Sequence, residues 1–264
     1  MERKLGIRTQ AELEEAVTSP ETTLRASTKA VFDQCADDYL CEDKHWGCDL
    51  DLIAKYLDQI PKPSVLEVGT GHAWHLANLH FFTSAKIRRA VGIDYSKAMI
   101  DRAREFLGGY DFHGKPLLEQ IELLEGDICD LRLDQQSFDL ALVLNNTLGN
   151  LAGVSFRDAE IQRKRALETI RGGLRNSAYL IVSVYNAAKL SEEDKYGEVF
   201  ELDQDLSDLG AMDLVVRYKK TDTVYYSHWF TDGEIRHLLY EAGFRVIEVE
   251  QRQKRIVVAA QVRA

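Results

Sequence analysis

The chain has 264 residues, of which 45% are apolar and 29% charged, a composition typical of a soluble globular protein with one well-buried α/β domain. Its formal charge of −10 disfavours nucleic acid and anionic membranes as partners, because a negative field repels phosphate groups.

The cysteines and the N-terminus indicate the compartment. No pair among Cys35, Cys41, Cys48 and Cys129 has the two-residue gap of a zinc knuckle, so we expect free thiols and no metal site. The first ten residues are charged rather than apolar, and no run approaches the roughly 18 apolar residues of a membrane helix. We therefore expect a cytoplasmic protein with no membrane partner.

The hydrophobic pattern divides the chain into an N-terminal helical cap, residues 1–60, and an α/β core, residues 61–264. Pro61 and Pro63 end the helical region. The next segments predict strands at 64–68, 90–93, 120–125, 138–144 and 178–185, separated by helices at 73–82, 96–106 and 155–171. This alternation predicts a parallel sheet with helices on both faces.

The pattern changes after residue 186. Residues 187–210 are polar and acidic with no clear period, and two strands are predicted at 214–219 and 224–229. Thr231 and Glu234 have capping-box spacing and open a helix, after which 244–250 and 256–262 predict a hairpin. The predicted fold class is α/β: a Rossmann-like, seven-stranded, mostly parallel sheet with an antiparallel terminal hairpin. Residues 187–229 are predicted to form a lid insertion.

The strongest local pattern is an acidic residue at a strand end followed by two glycines. It comprises Glu67, Gly69, Thr70 and Gly71. Glycine lacks a Cβ, so the backbone can turn sharply and a ligand can approach it. Trp74 stands where the fingerprint of a nicotinamide dehydrogenase needs glycine or alanine, which argues against that class.

Polar residues also end the next three strands. Asp94 could accept both hydroxyls of a ribose, and Asp127 could accept from an adenine amino group with Ile128 against the ring. Asn145 and Asn146 follow the buried fourth strand and suit the charged tail of a ligand. Each residue alone could be a helix cap or a turn. Their occurrence at successive strand ends favours a binding site.

In this order, the strand ends resemble those of the class I S-adenosylmethionine (SAM)-dependent methyltransferases, over roughly residues 30–262. The glycine-rich motif of that family matches residues 67–71 and departs at Ala73, where a third glycine is usual. The resemblance implies SAM as cofactor and a backbone carbonyl of Asn145 against its ammonium group. The implied cofactor-binding residues are Tyr39, Trp46, Glu67, Gly69, Thr70, Gly71, Asp94, Tyr95, Met99, Asp127, Ile128, Asn145 and Asn146.

The methyl acceptor is predicted to be a small molecule. Residues 146–150 and 228–231 are similar to segments of methyltransferases that act on glycine or on amino sugars. On a strand, Tyr226 and His228 point one way while Tyr225 and Trp229 point the other. We predict His228 as a general base, with Tyr226 beside it, because an ordinary histidine titrates near neutrality. A structural, hydrogen-bonded histidine is the alternative.

Several functions remain open at this point. The leading interpretation is methyl transfer to an amine nitrogen. The alternatives are transfer to the oxygen of a small hydroxyl or carboxyl compound, a protein methyltransferase with an open groove, and a SAM-binding module without catalysis. The sequence is silent on oligomeric state.

Overall fold

The structure is a computed structural model that describes residues 23–38, 49–191, 194 and 197–263. Tyr39 and Trp46, two of the predicted cofactor-binding residues, lie outside these ranges. In chain order, the helices and strands are α1 (Leu24–Gln34), α2 (Leu50–Leu57), β1 (Ser64–Val68), α3 (Trp74–Phe82), β2 (Arg89–Asp94), α4 (Lys97–Gly108), β3 (Asp111–Phe112), β4 (Lys115–Pro116), β5 (Ile121–Glu125), β6 (Phe138–Val143), α5 (Phe156–Gly173), β7 (Leu174–Tyr185), β8 (Phe200–Asp208), β9 (Asp213–Tyr218), β10 (Thr223–His228), α6 (Asp232–Glu241), β11 (Phe244–Arg252) and β12 (Arg255–Val262).

The main sheet has seven strands in the order β11-β12-β7-β6-β1-β2-β5. Strands β1, β2, β5, β6 and β7 pair in parallel. Strand β12 runs antiparallel to both of its neighbours, β7 and β11. The predicted mostly parallel sheet with an antiparallel terminal hairpin is therefore confirmed. The strand order reverses around β1, where sheets of this kind bind their ligands.

Two hydrophobic cores cover the faces of the main sheet, because side chains alternate along each strand. In β1, Val65 packs with residues of α2, α3 and α4 on one face. Leu66 and Val68 pack with residues of α5 and α6 on the other face. Strand β1 is buried along its whole length, as expected for a strand covered on both sides. Helices on both faces are thus confirmed.

The predicted caps are present at the helix starts, whereas α4 ends at Gly108 rather than at the predicted Phe106. The hydroxyl of Thr231 accepts the Glu234 N–H at 3.2 Å, and the Ser155 N–H donates to the Asp158 carboxylate at 3.1 Å. Helix α5 does not end at residue 171 as predicted but continues to Gly173, with β7 following at once.

No helix among the described residues has the length and apolar character needed to cross a membrane.

A second, three-stranded antiparallel sheet has the order β10-β9-β8 and is called the small sheet below. Its strands β9 and β10 were predicted, whereas β8 lies in the segment with no clear period. Helix α1 packs along β10: the Ser27 hydroxyl donates to the Val224 carbonyl at 2.5 Å, and the Tyr226 N–H donates to Thr28 Oγ1 at 3.1 Å. The small sheet and α1 are therefore joined to each other.

Candidate active site

A cavity with an empty volume of about 820 Å³ opens at the carboxyl ends of β1, β2, β5 and β6. It is called the first cavity. Most of the predicted cofactor-binding residues that the structure describes line it, namely Gly69, Thr70, Gly71, Asp94, Tyr95, Met99, Asp127, Ile128 and Asn145. The fold therefore brings together residues that are up to 76 positions apart in the chain, from Gly69 to Asn145.

The turn after β1 needs the backbone freedom of its glycines. Gly69 has a φ of +70°, and a Cβ there would lie 2.3 Å from the Thr147 hydroxyl oxygen. Gly71 has a φ of +54° and no atom within 4 Å of the place where a Cβ would stand. The next cap residue, Ala73, is also left-handed, with a φ of 60°. This conformation is strained for a residue with a side chain and is the one that glycine adopts most readily.

Glu67 holds the turn from behind. It is 1% exposed, and its carboxylate accepts from the Thr70 hydroxyl at 2.7 Å and lies 2.9 Å from His75 Nδ1. Glu67 itself is not among the residues that line the first cavity, whereas Thr70 and His75 are. The geometry therefore gives Glu67 a supporting position behind the turn that follows β1.

The Asp94 carboxylate is buried at the end of β2. One oxygen accepts the Gly71 N–H and the other the Ser96 N–H, each at 2.9 Å. Burial raises the pKa of Asp94 to about 6; these hydrogen bonds act against that rise, and the charges of Asp33 and Glu67 add to it. Asp94 thus links the first two strand ends and titrates close to neutrality.

Asp127, at the end of β5, is tied to the N-terminal helix. Its Oδ2 accepts from Arg25 at 2.8 Å through Nε and at 2.5 Å through Nη2, and its Oδ1 accepts the Cys129 N–H at 2.9 Å. A second contact from α1 lies nearby, because the Ser96 hydroxyl donates to the Asp33 carboxylate at 2.7 Å. Helix α1 is therefore fastened to two of the strand-end loops.

The asparagine pair after β6 divides between two positions. Both residues are left-handed, with φ values of 50° for Asn145 and 61° for Asn146. Asn145 lines the first cavity. Asn146 is fully buried and does not line it: its side chain accepts the Tyr185 N–H at 3.0 Å and donates to the Ser227 hydroxyl at 3.1 Å. Its position is that of a structural tie rather than of the predicted cofactor contact.

A second cavity, with an empty volume of about 1570 Å³, lies between the small sheet, the end of β7 and the turn before β12. Asn145 lines both cavities, so they meet at that residue. The wall of the second cavity contains the aromatic rings of Tyr185, Phe200, Tyr225 and Trp229. Its charged residues are Asp194, Glu198, Lys254 and Arg255.

The aromatic rings of the second cavity form two pairs. The ring centroids of Tyr185 and Trp229 are 5.0 Å apart, and those of Phe200 and Tyr225 are 5.7 Å apart. Tyr225 also contacts Phe32 of α1, a residue of the first cavity, at 5.6 Å. The aromatic wall is thus continuous from one cavity to the other.

His228 and Tyr226 lie in a buried polar cluster that lines neither cavity. His228 is 3% exposed, with Nδ1 2.8 Å from Asp213 Oδ1 and Nε2 2.7 Å from Glu234 Oε1. The Tyr226 hydroxyl donates to the same Asp213 oxygen and accepts from Arg163 Nη1 at 2.9 Å. The predicted alternation along β10 is therefore right, but Tyr225 and Trp229, not Tyr226 and His228, face the second cavity.

The electrostatics of this cluster argue against the predicted general base. Burial lowers the pKa of His228, but its hydrogen bonds to Asp213 and Glu234 more than offset this, so the pKa lies above its ordinary value. Burial raises the pKa of Asp213 and of Glu234, but the same bonds hold both below their ordinary values. An imidazolium that donates from both nitrogens has no lone pair with which to accept a proton.

Three residues at or beside the cavities could not be identified from the sequence, namely Arg25, Phe32 and Arg255. Arg25 and Phe32 lie on α1, far along the chain from the strands that they contact. Arg255 is the first residue of β12. A charged residue beside a hairpin turn is expected to be exposed, yet Arg255 is only 4% exposed. Only the three-dimensional packing places them at the site.

Comparisons with known proteins agree with this geometry. Residues 65–169 match the family model of a methyltransferase domain. No curated protein sequence matches the chain.

Solved structures with similar folds include two SAM-dependent methyltransferases and a further methyltransferase. The chain is 18% identical to a SAM-dependent methyltransferase from Aquifex aeolicus, with a TM-score of 0.60 over 87% of this chain and 98% of that one. It is 19% identical to the CcbJ methyltransferase from Streptomyces caelestis, with a TM-score of 0.62 over 93% and 100%. It is 21% identical to a SAM-dependent methyltransferase from Methanosarcina mazei, with a TM-score of 0.57 over 80% and 97%.

At these identities the structural likeness establishes the fold, and the family match supplies the activity of the domain that the fold builds. Both lead to the same conclusion, which the strand-end residues had indicated. The chain therefore contains a methyltransferase domain at residues 65–169, within the fold of the SAM-dependent methyltransferases.

Proposed function

We propose that this methyltransferase acts on a small molecule with an apolar body, and that the methylated atom is an amine nitrogen. In this proposal the first cavity holds SAM and the second holds the acceptor. The observation that carries it is the aromatic second cavity, which meets the first cavity at Asn145. The small sheet and α1 then serve as the lid and cap of the site.

The residues of the first cavity fit SAM. Gly71 leaves open space where any other residue would place a Cβ. The hydroxyl of Tyr95 is buried with no hydrogen-bond partner among the described residues, so a polar ligand group would satisfy it.

Each end of the cofactor has proposed partners in this chain. Asp94 accepts from the ribose hydroxyls, Asp127 from the adenine amino group with Ile128 against the ring, and Asn145 offers its backbone carbonyl to the ammonium group. When bound, SAM supplies a methyl group already activated by its sulfonium sulfur. What remains for the chain is to orient the acceptor and exclude water, which can contribute on the order of 7–11 kcal/mol of the barrier.

The amine assignment rests on the walls of the second cavity. Aromatic faces attract an ammonium group by about 0.5–2 kcal/mol each. Two pairs of rings face this cavity, and the carboxylate of Glu198 also lines it.

An acidic acceptor is the second candidate, because Lys254 and Arg255 line the same cavity. Both residues already have carboxylate partners: Lys254 lies 2.7 Å from Asp194, and Arg255 lies 3.3 Å from Asp49. Their charges are thus largely compensated, and this favours the amine over a carboxylate.

The buried free thiols of Cys35 and Cys129 fit the reducing cytosol in which we place the protein.

The proposal is tested in two steps. Titration calorimetry with SAM and with S-adenosylhomocysteine establishes whether the first cavity binds both. A panel of aromatic and alkyl amines, matched hydroxyl and carboxyl compounds and a mixture of unmodified proteins is then offered with methyl-labelled SAM. Label in the amines alone supports the proposal. Label only in the oxygen compounds or only in protein would overturn the acceptor assignment.

A further inference from the structure

A buried guanidinium lies where the two cavities meet. Arg255 is 4% exposed at the first position of β12, in the wall of the second cavity. Its Nη1 donates to the side-chain oxygen of Asn145 at 2.5 Å. Asn145 is the residue that lines both cavities, so Arg255 acts on the junction from the acceptor side.

The position of Arg255 is fixed by two further features. Its backbone pairs with Tyr185 in the register of β12 with β7. Its Nη1 lies 3.3 Å from the carboxylate of Asp49, a residue that is fully buried just before α2. A buried charge is retained when an opposite charge and hydrogen bonds compensate for its lost hydration. The guanidinium is therefore a rigid donor.

Asn145 needs such a partner. Its φ of 50° is a left-handed conformation that a residue with a side chain adopts at a cost. The direction of its backbone carbonyl depends on that conformation. A hydrogen bond from a rigid guanidinium to the side chain holds the residue in place, and with it the carbonyl.

We propose that Arg255 is a positioning residue for the amino-acid end of SAM, and that it acts by fixing Asn145. The inference rests on the proposed function, in which the first cavity holds SAM and the Asn145 carbonyl faces the ammonium group. Asp94 and Asp127, which the same proposal assigns to the adenosine, are not among the hydrogen-bond partners of Arg255 in the described residues. Loss of Arg255 should thus weaken one end of the ligand and spare the other.

Two ligands separate the ends. S-adenosylhomocysteine carries the amino-acid group, whereas 5′-deoxy-5′-methylthioadenosine has the same adenosine and thioether without it. By calorimetry, we expect Arg255→Lys to weaken binding of S-adenosylhomocysteine about tenfold and to change that of methylthioadenosine by less than about twofold. Lysine keeps a positive charge beside Asp49, so we expect the fold to be retained. It lacks the planar fork of the guanidinium, so we expect the hydrogen bond to Asn145 to be lost.

Asn145 provides the matched variants. Asn145→Ala removes the acceptor and should reproduce the selective loss seen in Arg255→Lys. Asn145→Asp keeps an oxygen for the guanidinium and should lose less affinity for S-adenosylhomocysteine than Asn145→Ala does. Arg255→Lys combined with Asn145→Ala should weaken binding no more than either variant alone, because both remove the same bond.

The outcomes distinguish the two proposals. Equal losses for both ligands in Arg255→Lys, or unchanged affinity for S-adenosylhomocysteine, would overturn the role of Arg255 and leave the proposed function intact. If the wild-type protein bound neither ligand, the proposed function itself would fail, and the inference with it.

Discussion

The two cavities are built in different ways. The first is formed by short loops at the ends of neighbouring parallel strands, and its walls combine glycines, carboxylates and asparagines with apolar side chains. The second is enclosed by the small sheet and by residues that approach from the hairpin at the end of the chain, and its walls are mostly aromatic and aliphatic. The first can recognise a ligand by hydrogen bonds in set directions, and the second by surface and size. Mutations should therefore separate cofactor binding from acceptor binding.

The largest expected effect lies behind the small sheet, in the cluster around His228. His228→Ala leaves Asp213 and Glu234 without the imidazolium between them, so we expect the free energy of unfolding to fall by about 3 kcal/mol in urea denaturation. His237→Ala is the matched control, because His237 is 72% exposed on the same helix as Glu234. A stable His228→Ala variant that binds SAM but has lost its turnover would instead restore His228 as a catalytic base.

The next largest effect concerns the cofactor. We expect Asp94→Ala to weaken SAM binding about 100-fold in calorimetry, because it removes charge-assisted hydrogen bonds to the ligand worth about 2.7 kcal/mol. Asp111→Ala removes an exposed carboxylate elsewhere and should leave the affinity unchanged. The acceptor KM of Asp94→Ala at saturating SAM should also stay near the wild-type value. Normal SAM affinity in this variant would contradict the assignment of Asp94.

The aromatic wall gives the converse experiment. Tyr225→Leu keeps an apolar side chain but removes a ring from the second cavity, so we expect the acceptor KM to rise about tenfold while SAM affinity stays constant. Tyr240→Leu, at an exposed position on α6, is the control for a general loss of tyrosine. A Tyr225→Leu variant that lost SAM binding instead would erase the distinction between the cavities.

The smallest effect is a pH dependence confined to the first cavity. With a pKa of about 6, Asp94 is a carboxylate at pH 8 and largely protonated at pH 5, so SAM affinity should fall as the pH drops through 6. The expected slope is about tenfold per pH unit below the pKa. The ligand-free fold has the opposite dependence: because the pKa is raised above 3.8, the contribution of Asp94 to stability is present below that pH and is lost as the pH rises through 6. Asp94→Asn should flatten the binding curve, and an unchanged slope would assign it to another group.

The fold could be predicted from the sequence where local signals agree. Strand β1 begins and ends at the predicted residues, because Pro61 and Pro63 stop the preceding chain and Gly69 ends the apolar run. Strand β8 escaped prediction because only Leu202 is buried in it, and its polar neighbours give no alternating pattern. That strand exists through pairing with β9, which is an interaction between segments and leaves no local mark.

The same limit applies to the site. That Asp94 and Asp127 lie at one cavity could be predicted, because the carboxyl ends of parallel strands meet at one edge of a sheet. For His228, the alternation of β10 predicted correctly which side chains share a face. Which of the two faces lines the cavity depends on how the small sheet packs. On the face away from the cavity, His228 is hydrogen-bonded to Asp213 and Glu234. Arg255 has no local signal at all, since its burial depends on Asp49, more than 200 positions away.

In the proposed arrangement, Asn146 sets the spacing between the donor cavity and the acceptor cavity. Its buried side chain joins the loop after β6 to Tyr185 of β7 and to Ser227 of the small sheet, while its neighbour Asn145 lines both cavities. Any shift of the small sheet relative to the core must stretch these bonds. The chain can therefore alter the shape of the acceptor cavity along β8 and β9 without moving the point at which the two ligands meet. A scaffold of this kind permits changes of acceptor while the distance for methyl transfer stays constant.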